Sequence, residues 1–95
     1  MNRMPVEIGC FVISKAGRDQ GRLFLVVGEV DDDFVMVANG GLRKMDHQKK
    51  KRRKHLKPTG ATVTELRDRL AKGEPVEDHE VRSWLSKEEE KLVQV

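Results

Sequence analysis

Six consecutive cations occupy residues 49–54, inside the stretch "QKKKRRKHLKP", and the chain continues well beyond them. Like charges held side by side repel one another and add little to a core. A run in this position needs either a partner that neutralises it or water that solvates it. The chemistry such a run performs best is phosphate binding. Lys and Arg displace condensed counterions from a polyanion, and affinity then falls by roughly 0.7 to 0.9 log units per log unit of salt for each phosphate neutralised. A second cationic segment, "VISKAGRDQGRLFLVV", sets Lys15, Arg18 and Arg22 beside Gly17 and Gly21, between two apolar runs. Glycine permits left-handed or close-approach backbone, so these cations project from a tight loop on a rigid mount. The loop lacks the glycine spacing and the Lys-Ser/Thr ending of a nucleotide P-loop, which argues against ATP or GTP.

Other chemistries find little support. The single Cys10 lies in the apolar run "CFVIS", where packing is its simplest role, and it leaves no intrachain disulfide and no zinc-ligand spacing. His47, His55 and His79 are scattered and form no triad; they read as surface residues, with no metal site. The carboxylates of "DDD" (residues 31–33) read as a solvated hairpin. No catalytic residue, cofactor or small-molecule substrate is expected, and the chain reads as a non-enzyme. Aromatics are sparse: no Tyr, one Trp and three Phe (Phe11, Phe24, Phe34), each Phe inside a strand-like run. They read as core residues, which favours a polyanion recognised by shape and phosphate over one read by base stacking.

The elements that must carry these cations change character along the chain. "CFVIS" (residues 10–14), "LFLVVGEV" (23–30) and "FVMVA" (34–38) are short runs rich in β-branched and aromatic residues, bounded by Gly, Asp or Asn. "DDD" joins the second to the third as a hairpin. "NGG" (39–41) supplies a turn into a fourth strand, "LRKM", and "KHLK" makes a fifth, ended by Pro58 and Gly60. Short strands at such spacing predict a small barrel or sandwich. After Gly60 the period becomes helical. In "TVTELRDRLAKG", Thr62 and Glu65 stand at capping-box spacing, Val63, Leu66 and Leu70 share a face, and Gly73 stops the helix. A second helix starts with Asp78 as cap and carries a stripe of Val81, Trp84 and Leu85; it either continues or restarts at Ser86. The expected architecture is mainly β with a C-terminal α extension, divided into residues 1–60 and 61–95, the latter holding two or three short helices.

Charge follows the same division. Residues 1–60 hold 13 Lys/Arg against 7 Asp/Glu, and residues 61–95 hold 6 against 9, so a net charge of +3 hides halves of opposite sign. That asymmetry points to a polyanion, nucleic acid above all, as partner of the first half. The opening "MNRMPVEIG" has no hydrophobic h-region and no apolar run approaches the ~20 residues needed to span a bilayer, so a cytoplasmic protein without a membrane partner is expected.

Strand, "GRDQG" and strand resemble the KOW motif, with Gly21 at its structural glycine. More closely, "SKAGRDQGRLFLVVGEV", "VANGGLRKM" and "KKKRRKHLKPTG", in that order, resemble the archaeal and eukaryal large-subunit ribosomal KOW proteins and their small bacterial KOW-domain relatives. The resemblance covers about residues 8–60; Asn39 stands where relatives often have Asp. It implies an SH3-like five-stranded β-barrel that binds RNA, commonly ribosomal RNA, and places Lys15, Arg18, Asp19 and Arg22 together with the basic run through His55 and Lys57 on RNA-facing parts.

The expected RNA-binding set is therefore Lys15, Arg18, Arg22, Arg43, Lys44, Lys49, Lys50, Lys51, Arg52, Arg53, Lys54, His55 and Lys57. The expected partner is large-subunit ribosomal RNA, bound by a peripheral component or by an assembly or quality-control factor. A second reading makes the barrel a protein-interaction module of the translation or transcription machinery. In either case Val81, Trp84 and Leu85 are candidates for contact with ribosomal or other proteins, or for a small internal core.

Overall fold

A computed structural model describes residues 6–93. Five antiparallel strands, β1 (Cys10–Ser14), β2 (Leu23–Glu29), β3 (Phe34–Ala38), β4 (Lys49–Arg52) and β5 (Leu56–Thr62), form one sheet in the order β4-β3-β2-β1-β5. A single 3-10 turn, Arg53–His55, joins β4 to β5, and two helices follow, α1 (Thr64–Ala71) and α2 (Asp78–Val93).

Both faces of the sheet are apolar at its centre. On one face Phe11, Leu23, Leu25, Val27 and Ala38 pack with Leu66 of α1 and with Val81 and Leu85 of α2. On the other, Cys10, Val12, Phe24, Val26, Val35, Val37 and Leu56 form a second cluster to which neither helix contributes. Val12, Phe24, Val26, Val35 and Val37 are nevertheless fully buried. A face that no other layer covers must be covered by the sheet's own curvature and its loops, which is compatible with a small SH3-like barrel.

The first three strands lie where their composition predicts them. Between β2 and β3 the "DDD" turn is held by Asp31 Oδ1, which accepts from the backbone N–H groups of Asp33 and Phe34 at 2.9 Å each. The fourth strand is displaced from its expected place. "LRKM" is a loop, because Asn39 Oδ1 accepts from the N–H groups of Gly41 and Arg43 and curls the chain, and Asp78 Oδ1 then accepts from Met45 N–H at 2.7 Å. The basic run itself is β4. Its register on β3 pairs Arg52 with Phe34, Lys51 with Val35, Lys50 with Met36 and Lys49 with Val37. A sheet edge made of lysine and arginine resists pairing with another edge, which gives the run a structural use of its own.

β5 also departs from expectation, running through Pro58 and Gly60 to Thr62. It is an edge strand, where a missing N–H is tolerated, and Gly60 (φ +95°) lies where the β1–β5 register shifts between Cys10 and Val12. α1 starts after Val63 with no side-chain cap, so the Thr62–Glu65 capping box does not form. It ends as predicted. Gly73 (φ +74°) donates its N–H to Leu70 O, and Glu74 N–H reaches Arg69 O, a Schellman closure. α2 is continuous through Ser86, and Asp78, expected as its cap, instead ties the helix to the 39–48 loop through Met45. The helices are joined by Arg69, which reaches Glu65, Glu80 and the carbonyl of Pro75. Among the described residues, no helix is long and apolar enough to cross a membrane.

Candidate nucleic-acid interface

The pleat of β4 divides the basic run. Lys49 and Lys51 stand on the face of Val35 and Val37, whereas Lys50 and Arg52 stand on the face of Phe34 and Met36. Lys51 is only 12% exposed, lies over the Phe24 ring, and reaches Asp19 Oδ2 at 3.0 Å. Asp19 comes from the β1–β2 loop, is itself buried, and also draws in Arg43 (3.7 Å) and Arg22 (3.9 Å). Burial raises the Asp19 pKa, but the hydrogen bond from Lys51 and the charges of Lys51, Arg43 and Arg22 together outweigh it and hold the carboxyl below its usual value. Three of the expected RNA-binding cations are thus gathered around one internal carboxylate.

Arg53 is a fourth structural cation. Its guanidinium donates to the carbonyl of Asp31 at 3.1 and 3.2 Å and to that of Val6, and its backbone N–H donates to Asp33 O. It fastens the "DDD" turn and the N-terminal segment to the 3-10 turn, so its charge is largely committed within the fold.

The remaining cations are differently placed. Among the described residues, no carboxylate lies within ion-pair distance of Lys15, Arg18, Lys44, Lys49, Lys50, Arg52, Lys54 or Lys57. Lys15 N–H donates to His55 O at 2.8 Å, and this bond brings the β1–β2 loop against the turn after β4. The outcome is an open groove of about 900 Å³ lined by Lys15, Arg52, Arg53, Lys54 and Lys57, with Leu56, Pro58 and Val6 as apolar wall and Asp32 and Asp33 also among its lining residues. Two cationic segments some forty residues apart in sequence meet there. Arg18 and Lys44 are exposed but do not line it.

The loop conformation that makes this possible depends on two glycines. Gly17 and Gly21 have φ of +75° and +86°, with open space where a Cβ would stand. Their requirement is conformational, Gly21 being the one expected at the KOW motif's structural glycine. Its N–H returns to Ser14 O at 2.8 Å and closes the loop onto β1.

Phe34 departs from its expected core role. Phe11 and Phe24 are buried, but Phe34 is half-buried, with Lys50 Nζ 4.6 Å and the Arg52 guanidinium carbon 4.8 Å from its ring centroid. The signal was present in "FVMVA": in a strand whose Val35 and Val37 face inward, Phe34 falls on the opposite face. Asp19 as an organiser of cations had no such signal, because its partners are brought to it by the fold. In the C-terminal half, Val81 and Leu85 are buried against the sheet and half-buried Trp84 packs on the same cluster. The helical stripe is therefore internal core, and Val81 and Leu85 are not available to a partner.

No family model matches the chain. The chain is similar to the large ribosomal subunit protein eL14 of Desulfurococcus amylolyticus, 36% identical over 61 residues that cover 63% of this chain. The match takes in 64% of that relative, so the chain spans less than two thirds of its length. This similarity bears out the resemblance to large-subunit ribosomal KOW proteins read from the sequence.

Proposed function

We propose that this chain is a non-catalytic RNA-binding protein of the large ribosomal subunit, in which an SH3-like KOW domain holds ribosomal RNA phosphates against the groove between the β1–β2 loop and the 3-10 turn. The observation that carries the reading is the convergence on one groove of Lys15, Arg52, Lys54 and Lys57, none of which has an ion pair among the described residues. Its appearance in a chain similar to a large-subunit ribosomal protein supports the choice of polyanion. The same cations on a disordered arm would lose more entropy on docking. Here Lys15 follows β1, Arg52 ends β4, Lys54 lies in the 3-10 turn and Lys57 in β5, so their backbone is already ordered and the loss is correspondingly smaller.

Four such cations neutralise about three phosphates, giving a salt slope near −2 to −3 in log–log form. Asp32 and Asp33 repel phosphate where they line the groove and so disfavour a path across the hairpin. In this reading the protein acts in the cytoplasm as a peripheral component of the subunit or as an assembly or quality-control factor. The rival reading, in which the barrel is a protein-interaction module with only nonspecific affinity for nucleic acid, draws no support from Val81 and Leu85, which are buried.

Ultraviolet crosslinking in living cells, followed by sequencing of the attached RNA, tests the proposal. Reads concentrated at one place in large-subunit ribosomal RNA, and lost when Arg52, Lys54 and Lys57 are changed to Gln, are the expected result. Scattered reads that the variant does not alter would overturn it.

A further inference from the structure

Phe34 lies at the start of β3, beside the edge strand, and the proposed groove does not explain it. A half-buried aromatic ring with two cations over it, next to a 46%-exposed Val30, is an apolar patch rimmed by positive charge. Val30 N–H donates to Phe34 O at 3.1 Å, so both residues are fixed at the mouth of the β2–β3 hairpin. Arg52 belongs to two places at once. Its guanidinium lies over the Phe34 ring, and the residue also lines the phosphate groove.

A planar guanidinium held over an aromatic ring presents its outer plane to a third flat group. Nucleobases stack on both aromatic rings and arginine planes, and every base has a face suited to this. An apolar protein segment docking on Val30 and Phe34 would have to desolvate Lys50 and Arg52 without pairing them, whereas a nucleotide brings its own phosphate. Charge complementarity therefore selects the occupant.

We infer that Phe34, Lys50 and Arg52 form a stacking site for one unpaired nucleobase, continuous through Arg52 with the groove that holds the adjoining phosphates. This rests on the RNA-binding reading and sharpens it: the preferred ligand is a helix interrupted by a bulged or looped-out nucleotide, and a uniform duplex binds less well.

The test uses two RNA hairpins of equal length, one fully paired and one carrying a single bulged 2-aminopurine, with affinity and 2-aminopurine fluorescence read together at the same salt concentration. The wild-type chain is expected to prefer the bulged hairpin by about tenfold and to quench its fluorescence. Phe34→Leu brings the ratio of affinities near one, and Phe34→Tyr, which keeps the ring, retains it. A Lys54→Gln, Lys57→Gln variant lowers the salt slope on both hairpins. Equal affinity of the wild type for the two hairpins, or a preference that survives Phe34→Leu, would overturn the stacking site while leaving phosphate binding intact. Failure to bind either hairpin at low salt would overturn both readings.

Discussion

Lys50 and Lys51 are neighbours of the same type, yet one is solvent-exposed beside an aromatic ring and the other is closed over a buried carboxylate. The same contrast extends across the molecule. Lys51, Arg22 and Arg43 converge on Asp19, and Arg53 on the carbonyls of Asp31 and Val6, whereas Lys15, Arg52, Lys54 and Lys57 line an open groove. Cations of the first kind hold loops to the sheet. Those of the second kind have no ion pair among the described residues, which leaves their charge open to the proposed polyanion. Formal charge does not distinguish the two populations, although their expected mutational signatures are opposite.

The largest expected effect breaks the internal set. Asp19→Ala leaves Lys51, largely buried, without its carboxylate and should cost about 2 to 3 kcal/mol in urea unfolding. That lies at or below the low end for a broken buried pair, because Arg22 and Arg43 reach water. Adding Lys51→Met should restore much of the loss by replacing the stranded charge with an apolar side chain of similar length. A neutral Asp19→Ala would erase the distinction between the two sets.

The complementary experiment removes the groove. Changing Arg52, Lys54 and Lys57 together to Gln should weaken RNA binding about tenfold or more near 0.1 M salt and reduce the salt slope by about 2, with unfolding free energy changed by only about 0.5 kcal/mol. Loss of folding in this variant would show that these cations, too, are structural.

Acid sharpens the comparison from another side. Glu80 is held at about 2 by its hydrogen bonds from Arg69 and then from the Glu77 N–H, against an ordinary value of 4.5. Asp19 is likewise lowered. For a depressed carboxylate the stabilisation is fully present above its unfolded value and is lost as pH falls toward the folded one. Stability should therefore decline below about pH 4.5, and Glu80→Gln should flatten that decline between pH 4.5 and about 2 while Lys54→Gln leaves it unchanged. Urea midpoints across this range provide the check; an identical decline in Glu80→Gln would contradict it.

The smallest effect is the most local. Lys51→Gln should destabilise by about 1 kcal/mol and Lys50→Gln by less than about 0.5 kcal/mol, although the two positions are adjacent. Equal effects would mean that the pleat does not separate them.

Much of the fold is legible along the chain. Cys10, Val12, Phe24, Val26, Val35 and Val37 lie in runs whose β-branched and aromatic content needs only local rules, and Gly73 closes α1 as its position suggests. The misplaced elements have a common cause. "LRKM" has strand-like composition, but Asn39 and Asp78 capture its N–H groups, and Pro58 and Gly60 look like terminators until β5 is known to be a bulged edge strand. The candidate site was legible only as a supply of cations. That Lys15 would meet Lys54 and Lys57 depends on a backbone bond from Lys15 to His55, forty residues away.

By itself the sequence determined the order of β then α elements, the "DDD" hairpin, the cation-rich first half and the resemblance to ribosomal KOW proteins, because these rest on local propensity, turn chemistry and composition. Only the tertiary structure decided which cations are free. Strand register sets the face on which each residue of β4 stands, and long-range packing places Asp19 beneath one face and Phe34 on the other. Neither register nor packing is a property of the run "KKKRRK" alone, so a charge's role follows from what the fold puts beside it.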